Sequence, residues 1–486
     1  MNDEMPRDLD APQRWGLCEE AIADLGSCLQ HCWERYRHCF KTTTRDVAKH
    51  AWTYLKGLLL MNTGRNFANI DRRVNAPEGD GQNLQQFMSD SPWEAQTVIA
   101  QVQAEITQTP GLAHGGVLLL DESADEKAGD KSVGAGRQHN GRLGKVEMSQ
   151  VGVFLAYYRA PVWTWVDGEL YLPQSWFTAE MAAERQRVGV PAKREFATKI
   201  ELGWRMLQRV SVPFEAVAMD DLYGRSGWLR HQIDQAGLLY MAEIPEDTQV
   251  YLTKPDFGLP PADPDKPGRP CTRPQVLSAE KPSAVRHISA HPDTRWQRFQ
   301  VRATERGILD DPFAIRRVWT IRDDELAEEW LVIRHEYGKR YTYALSNAPA
   351  DTAHERLAWL KCVRHFVERA NQDAKSETGW DDFQAQKYRA WEHQLALTIL
   401  ATWFIAQTKY EWAHTHPQDP QLAQQMELEV LPSLSVANVR ELLQAVMPLP
   451  QLSQEQATRL VVKHLLKRSR STRCRMKAQR TQRSQT

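Results

Sequence analysis

Two buried-strand runs that each finish on an acid constrain this chain more than any other feature. Val117-Leu118-Leu119-Leu120 closes on Asp121, and Phe214 to Met219 closes on Asp220. Short apolar runs of this kind read as strands covered on both faces. A third segment, Cys362 to Thr378, has helical composition and carries Arg364, Glu368 and Lys375 as R-x3-E-x6-K. On a helix Arg364 and Glu368 lie one turn apart, and Lys375 returns to their face two turns later. Three acids this far apart in sequence converge only through tertiary folding. Once clustered they repel and are pushed toward protonation unless a divalent cation neutralises them. The pattern therefore predicts a magnesium site for phosphodiester chemistry, with Asp121, Asp220 and Glu368 as ligands.

At 486 residues the chain exceeds one ordinary core, and its length predicts about three domains. A hydrophobic fraction of 42% and a charged fraction of 25% are those of a soluble globular protein. No apolar run approaches the roughly 20 residues of a membrane span, and the start, Met1 to Pro12, is too polar for a signal peptide. These readings predict a cytoplasmic, nucleoid-associated protein with no membrane partner. The formal charge of −1 is unlike that of a simple nucleic-acid binder, but from Lys463 onward the chain is strongly basic without one acid. Such a tail is usually disordered and can hold phosphates. Cys28, Cys32 and Cys39 lie near His31 and His38, yet their spacing places the thiols on one helix face and lacks a C-x2-C pair. Buried reduced thiols explain them better than zinc does.

Along the chain, residues 1–110 read as a helical N-terminal region, with helices over Trp15 to Phe40, Asp46 to Leu60 and Trp93 to Thr107. Residues 111–250 carry the order β-β-β-α-β-α-β, with a polar, glycine-rich loop from Glu122 to Arg142 and a hairpin from Val151 to Leu172. Six prolines between Leu259 and Pro274 then break the pattern. Residues 251–347 alternate like strands of a separate sheet, 348–410 return to helix, and 411–486 form a helical C-terminal region with the basic tail. The resulting fold class is α/β: an RNase H-like core of mixed sheet flanked by helices, with a helical N-terminal domain and a β-rich insertion before the last helix of the site.

Several ordered motifs then fit one family. YLKGLLL (Tyr54 to Leu60), QQFMSDSPW (Gln85 to Trp93), the strand ending at Asp121, and GRQHNGRLGKVEMSQVGVFLAY (Gly136 to Tyr157) come first. GELYLPQSW (Gly168 to Trp176), MDDLYGR (Met219 to Arg225) and VERANQDAKSETGWDDF (Val367 to Phe383) follow. Together they resemble bacterial insertion-sequence transposases of the DDE superfamily, in the branch typified by insertion sequence 701. The resemblance places the family's first aspartate on Asp121. Its second, in a G-D-x-x-Y-G-like turn whose first glycine is Met219 here, falls on Asp220, and its glutamate falls on Glu368. Related hairpin-forming transposases carry Y-x2-R-x3-E-x6-K; Arg364, Glu368 and Lys375 are kept, whereas Lys361 stands at the tyrosine position. The resemblance also implies a homodimeric synaptic complex holding terminal inverted repeats and target DNA.

Two Mg2+ ions about 3.5–4 Å apart, replaceable by Mn2+, would clamp attacking and leaving oxygens in such chemistry. Carboxylates are suitable hard ligands for them. Arg364 and Lys375 are expected to contact phosphate. Lys131, Arg137, His139, Arg142 and Lys145 follow the first aspartate on a glycine-rich stretch suited to a DNA strand. Trp296, between Arg295 and Arg298, is a candidate for stacking on a base. Glu122, Asp221 and Glu377 remain rivals to the three named acids, and solvated charge remains the plain alternative for Arg364 and Lys375. The expected function is metal-dependent cleavage at element ends followed by strand transfer. The alternatives are an inactive transposase-derived DNA-binding protein and an RNase H-like nuclease without strand transfer.

Overall fold

A computed structural model describes residues 9–141, 143–261, 271–304 and 307–483. Near the N-terminus lie α1 (Leu25–Tyr36), α2 (Ala48–Leu60), α3 (Gln82–Ser89) and α4 (Ala95–Gln108). The stretch expected as one helix to Phe40 ends at Tyr36 and tightens into a 3-10 turn, Arg37–Phe40, which carries Cys39. Cys32 and Cys39 are buried and reduced. Burial pushes their thiols up to about 12 and about 11, so they stay protonated. The start of α4 also shifts inward: Glu94, rather than the Asp90-Ser91 pair, precedes its first turn.

The sheet begins with β1 (Val117–Glu126), β2 (Gly136–Asn140), β3 (Lys145–Arg159) and β4 (Val162–Tyr171). β1 thus runs five residues past Asp121, and part of the expected Glu122–Arg142 loop is strand, because β3 is long enough to pair with both β1 and β2. After α5 (Lys199–Arg209) come β5 (Ala216–Met219), α6 (Gly227–Gln235) and β6 (Leu239–Ile244). Thr198 and Glu201 close a capping box at the start of α5, as their spacing allows. β1, β5 and β6 are parallel, and β3 runs antiparallel to β1. This is the mixed sheet of an RNase H-like core.

The β-rich insertion supplies β7 (Gln297–Thr304), β8 (Gly307–Arg322), β9 (Glu325–Glu336) and β10 (Arg340–Ser346). They do not form the separate sheet that the sequence pattern predicts. β10 pairs antiparallel with β6, which joins all four to one ten-stranded sheet in the order β7-β8-β9-β10-β6-β5-β1-β3-β2, with β4 also on β3. Period-two alternation marks a strand but not its neighbour, and β6 left an unpaired edge that β10 covers.

A buried polar knot locks this junction. Glu329 on β9, fully buried, accepts both contacts of the Arg230 guanidinium from α6 at 2.7 Å and also the hydroxyls of Tyr240 and Thr320. Arg322 donates to the Tyr240 hydroxyl at 2.7 Å and pairs with Asp234. Burial opposes charge on Glu329, but Arg230 and the hydroxyl donors hold its carboxyl below the usual range.

Beyond the insertion are α7 (His354–Val363), α8 (His365–Gln372), α9 (Tyr388–Thr415), α10 (Val436–Val446) and α11 (Gln454–Arg483). α9 is buried around most of its circumference, since it fills the space between the N-terminal helices and β4. Tyr54 on α2 donates to Gln394 on α9 at 2.7 Å inside this shared core. The basic tail, expected to lack structure, is the distal part of α11, which runs as far as Arg483, and its described side chains up to Lys477 are exposed. Among the described residues no helix is long and apolar enough to cross a membrane.

Glu329→Ala should destabilise the protein by about 3–5 kcal/mol, because it leaves the Arg230 charge buried without a partner. Urea unfolding followed by circular dichroism measures this, and the loss should be far smaller for the exposed Glu455→Ala.

Candidate metal centre

Parallel pairing of β1 with β5 sets the site. The last matched pair is Leu120 with Met219, so the next residues, Asp121 and Asp220, emerge side by side. At Met219 β5 ends, and Asp220 caps the short helical turn Asp221–Gly224, accepting the backbone N–H groups of Leu222 at 3.1 Å and Tyr223 at 3.3 Å. Gly224 completes that turn for a steric reason: a Cβ there would lie 1.9 Å from the carbonyl oxygen of Glu243 on β6. The glycine of the MDDLYGR motif therefore lets the turn press against the sheet.

Asp121, Glu122 and Asp220 bring one carboxylate oxygen each within 4.8 Å of one another. All three side chains are half-buried. Burial, and then the neighbouring Asp220 charge, drive the Asp121 carboxyl well above its ordinary range. Burial, and then Glu122, push Asp220 up to about 7. Beside them the Tyr223 phenol is fully buried and held strongly protonated, first by burial and then by Glu122, Asp220 and Asp121. The group is short of positive charge. Lys199 on α5 reaches Glu122 at 3.0 Å, and Arg364 lowers both aspartates through its field. Hard, half-desolvated carboxylate oxygens at this spacing suit a divalent cation, which would take the place of the protons they otherwise bind.

The other expected residues are placed as follows. Asp221 turns away to pair with Arg225 at 3.0 Å, and Glu377 pairs with Arg440 at 2.7 Å. Glu368 lies on α8 outside the group of three, with a side chain 54% exposed and bound to Arg364 at 2.7 Å. Arg364 sits at the junction of α7 and α8 and also reaches Glu243 at 2.8 Å, which ties Glu368 to the edge of the site. Lys361, at the family's tyrosine position, is buried against that same Glu243. Lys375 does face β1, but lower down: its ammonium reaches Asp125 and the Ala124 carbonyl, each at 2.9 Å. A π-helical turn, Asp373–Glu377, carries it there.

Lys131 before β2, Arg137 and His139 on β2, and Lys145 at the start of β3 are exposed, with Lys145 3.1 Å from Glu147. Arg142 lies outside the described residues. Trp296 stands before β7 with 37% of its surface exposed and packs on Tyr341, ring centroids 5.5 Å apart, and on His335. Sequence reasoning left Glu122 as a rival to Asp121, whereas the fold brings both into one cluster. It passed over Asn371, whose amide nitrogen lies 3.4 Å from Asp121. Its position one turn after Glu368 was the available signal.

Residues 35–308 match the family described as DDE superfamily endonuclease, a span that holds Asp121, Glu122 and Asp220. The chain is also 24% identical over 319 residues to a protein of Microchaete diplosiphon described as a probable transposase for insertion sequence element IS701. That match covers 63% of this chain and 69% of the relative. The matched span, the mixed sheet and the acids paired on β1 and just past β5 together identify the chain as a member of the DDE superfamily endonucleases.

Proposed function

We propose that this protein is a DNA transposase, which cuts the ends of an insertion sequence and joins them to target DNA. The observation that carries the reading is the Asp121–Asp220 pair, half-buried side by side where the parallel pairing of β1 with β5 ends, within a chain similar to a probable transposase. Divalent cations, Mg2+ or Mn2+, would supply the Lewis acidity that activates the attacking oxygen and stabilises the leaving one. Asp121 and Asp220 would hold them, with Glu122 or Glu368 completing the set from either side. Arg364 faces the same group and offers a guanidinium to a phosphate. Lys375 contributes by fixing the end of β1 through Asp125 and is also proposed to meet phosphate when DNA displaces that contact. The exposed Lys131, Arg137 and Lys145, with Arg142, would provide cationic contacts to a DNA strand, and His139 a polar one. Trp296, with Tyr341 beside it, offers a face for base stacking. Two copies of the chain would pair the inverted repeats of one element.

Asp121→Ala, Asp220→Ala and Glu368→Ala should each abolish nicking of DNA that carries the element's own ends, while gel-shift affinity stays close to wild type. Binding rests on dispersed phosphate contacts, whereas cleavage needs the whole ligand set. Glu122→Gln in the same assay should keep measurable nicking; loss of nicking by Glu122→Gln together with nicking retained by Glu368→Ala would make Glu122 the third ligand instead. Wild-type cleavage by Asp121→Ala or Asp220→Ala would refute the proposed centre.

The raised carboxyls give a second test. Asp220 has a folded-state value of about 7, above the ordinary aspartate range, so its contribution to stability is complete at low pH and is lost as pH rises through 7. In chelator, Asp220→Asn should therefore gain on wild type between pH 5 and 8, by about 2–4 °C in thermal midpoint. Added Mn2+ should reverse that order at pH 8 by stabilising only the wild type. Differential scanning fluorimetry checks both signs.

The exposed basic part of α11 supplies charge without base-edge readout. Removing Leu466 to Thr486 should weaken DNA binding broadly and flatten its dependence on salt. An unchanged salt slope in fluorescence anisotropy would show that the tail makes no phosphate contacts.

A further inference from the structure

The Asp121 carboxylate is held from two sides. Oδ1 accepts the backbone N–H of Glu122 at 2.8 Å, a contact within β1 itself. Oδ2 lies 3.4 Å from Nδ2 of Asn371, three residues beyond Glu368 on α8 and so on the same side of that helix. The orientation of this amide is not free. Oδ1 of Asn371 accepts the Nε1–H of Trp165 at 2.9 Å. An indole nitrogen only donates, so the carbonyl oxygen must face Trp165 and the NH2 group must face Asp121. Trp165 is itself immobilised on β4: it is 1% exposed, stacks on Phe154 with ring centroids 4.0 Å apart, and meets Trp380 edge-on.

We propose that Asn371 is a positioning residue of the metal centre, turned by the Trp165 indole to aim Asp121. The inference rests on the reading of the acidic cluster as a divalent-cation site. With the Glu122 N–H on Oδ1 and the Asn371 amide on Oδ2, each oxygen keeps one lone pair for a cation. The amide also donates to the charged form of a carboxylate that burial and Asp220 both push toward protonation. In addition it is a direct polar link between β1 and α8, so it sets how far Glu368 stands from the two aspartates. Donors in this outer position commonly tune metal affinity by about 10–100-fold.

The test uses the full-length protein and Mn2+ as the probe, with bound ion measured by the loss of the free Mn2+ electron paramagnetic resonance signal. Asn371→Leu keeps the size of the side chain and removes both polar atoms. Its Mn2+ dissociation constant should rise about tenfold, with DNA affinity and thermal midpoint near wild type, and high Mn2+ should recover the rate of nicking. Trp165→Phe keeps a ring but loses the indole N–H. It should shift Mn2+ affinity in the same direction by a smaller factor, because the amide can then rotate. If Asn371→Leu does not fold, Asn371→Ala and Trp165→Phe carry the same comparison. Wild-type Mn2+ affinity in the Asn371 variants, or a rate loss that no Mn2+ concentration recovers, would overturn the role of Asn371 while leaving the centre intact. A wild-type protein that binds no Mn2+ would overturn the cation reading itself, and this inference with it.

Discussion

Leu120 of β1 lies against Met219 of β5 in parallel register, and from that pairing the two aspartates that follow must emerge together. Adjacent strands stand about 4.7–4.9 Å apart, so two acids leaving them at equal height share one electrostatic environment whatever else surrounds them. The rest of the site answers that imbalance. Lys199 on α5 takes up one oxygen of Glu122, and Arg364 projects its charge toward both aspartates. Burial and the repulsion of neighbouring carboxylates raise both the Asp121 and the Asp220 carboxyl, which is what remains unbalanced. A cation supplied from solution would neutralise the carboxylates instead, so folding and metal binding draw on the same excess of negative charge.

A chain of alternating charge then connects the centre to the edge of the core. Lys361 and Arg364 both meet Glu243 on β6, and Arg364 continues to Glu368. Because Gly224 presses against the backbone of the same Glu243, the turn after Asp220 and the α7–α8 junction bear on one residue of one strand. The Glu329 knot extends this rigidity outward, since it fixes α6 to β8 and β9 of the insertion through Arg230 and Arg322. The insertion is therefore continuous with the core sheet, and its far strand β7 returns over the helices of the site, where Arg302 lies 4.9 Å from the ring of Phe366 on α8.

Much of this was legible in the amino-acid order. The apolar runs before Asp121 and Asp220 marked the central strands, Thr198 and Glu201 marked a helix start, and R-x3-E-x6-K marked the helix beside the sheet. These signals are local: burial on both faces, capping and the 3.6-residue period are properties of a few consecutive side chains. The family motifs added the register that selects Asp220 over Asp221, and the fold places Asp221 outside the cluster, on Arg225.

Sequence by itself thus determined most of the elements, the α/β class and the two acids that follow the central apolar runs. Tertiary structure alone decided which strands became neighbours, because alternation fixes the faces of a strand and leaves its edges open: β10 could join the insertion to β6 without any change in its pattern. It also decided which polar groups surround the acids. Glu122 enters the cluster, Lys375 is drawn to Asp125, and Asn371 is turned toward Asp121 by an indole more than 200 residues earlier in the chain. Such contacts depend on distance and orientation between elements remote in sequence, and a half-buried charge selects its partners only after the backbone has brought them within reach.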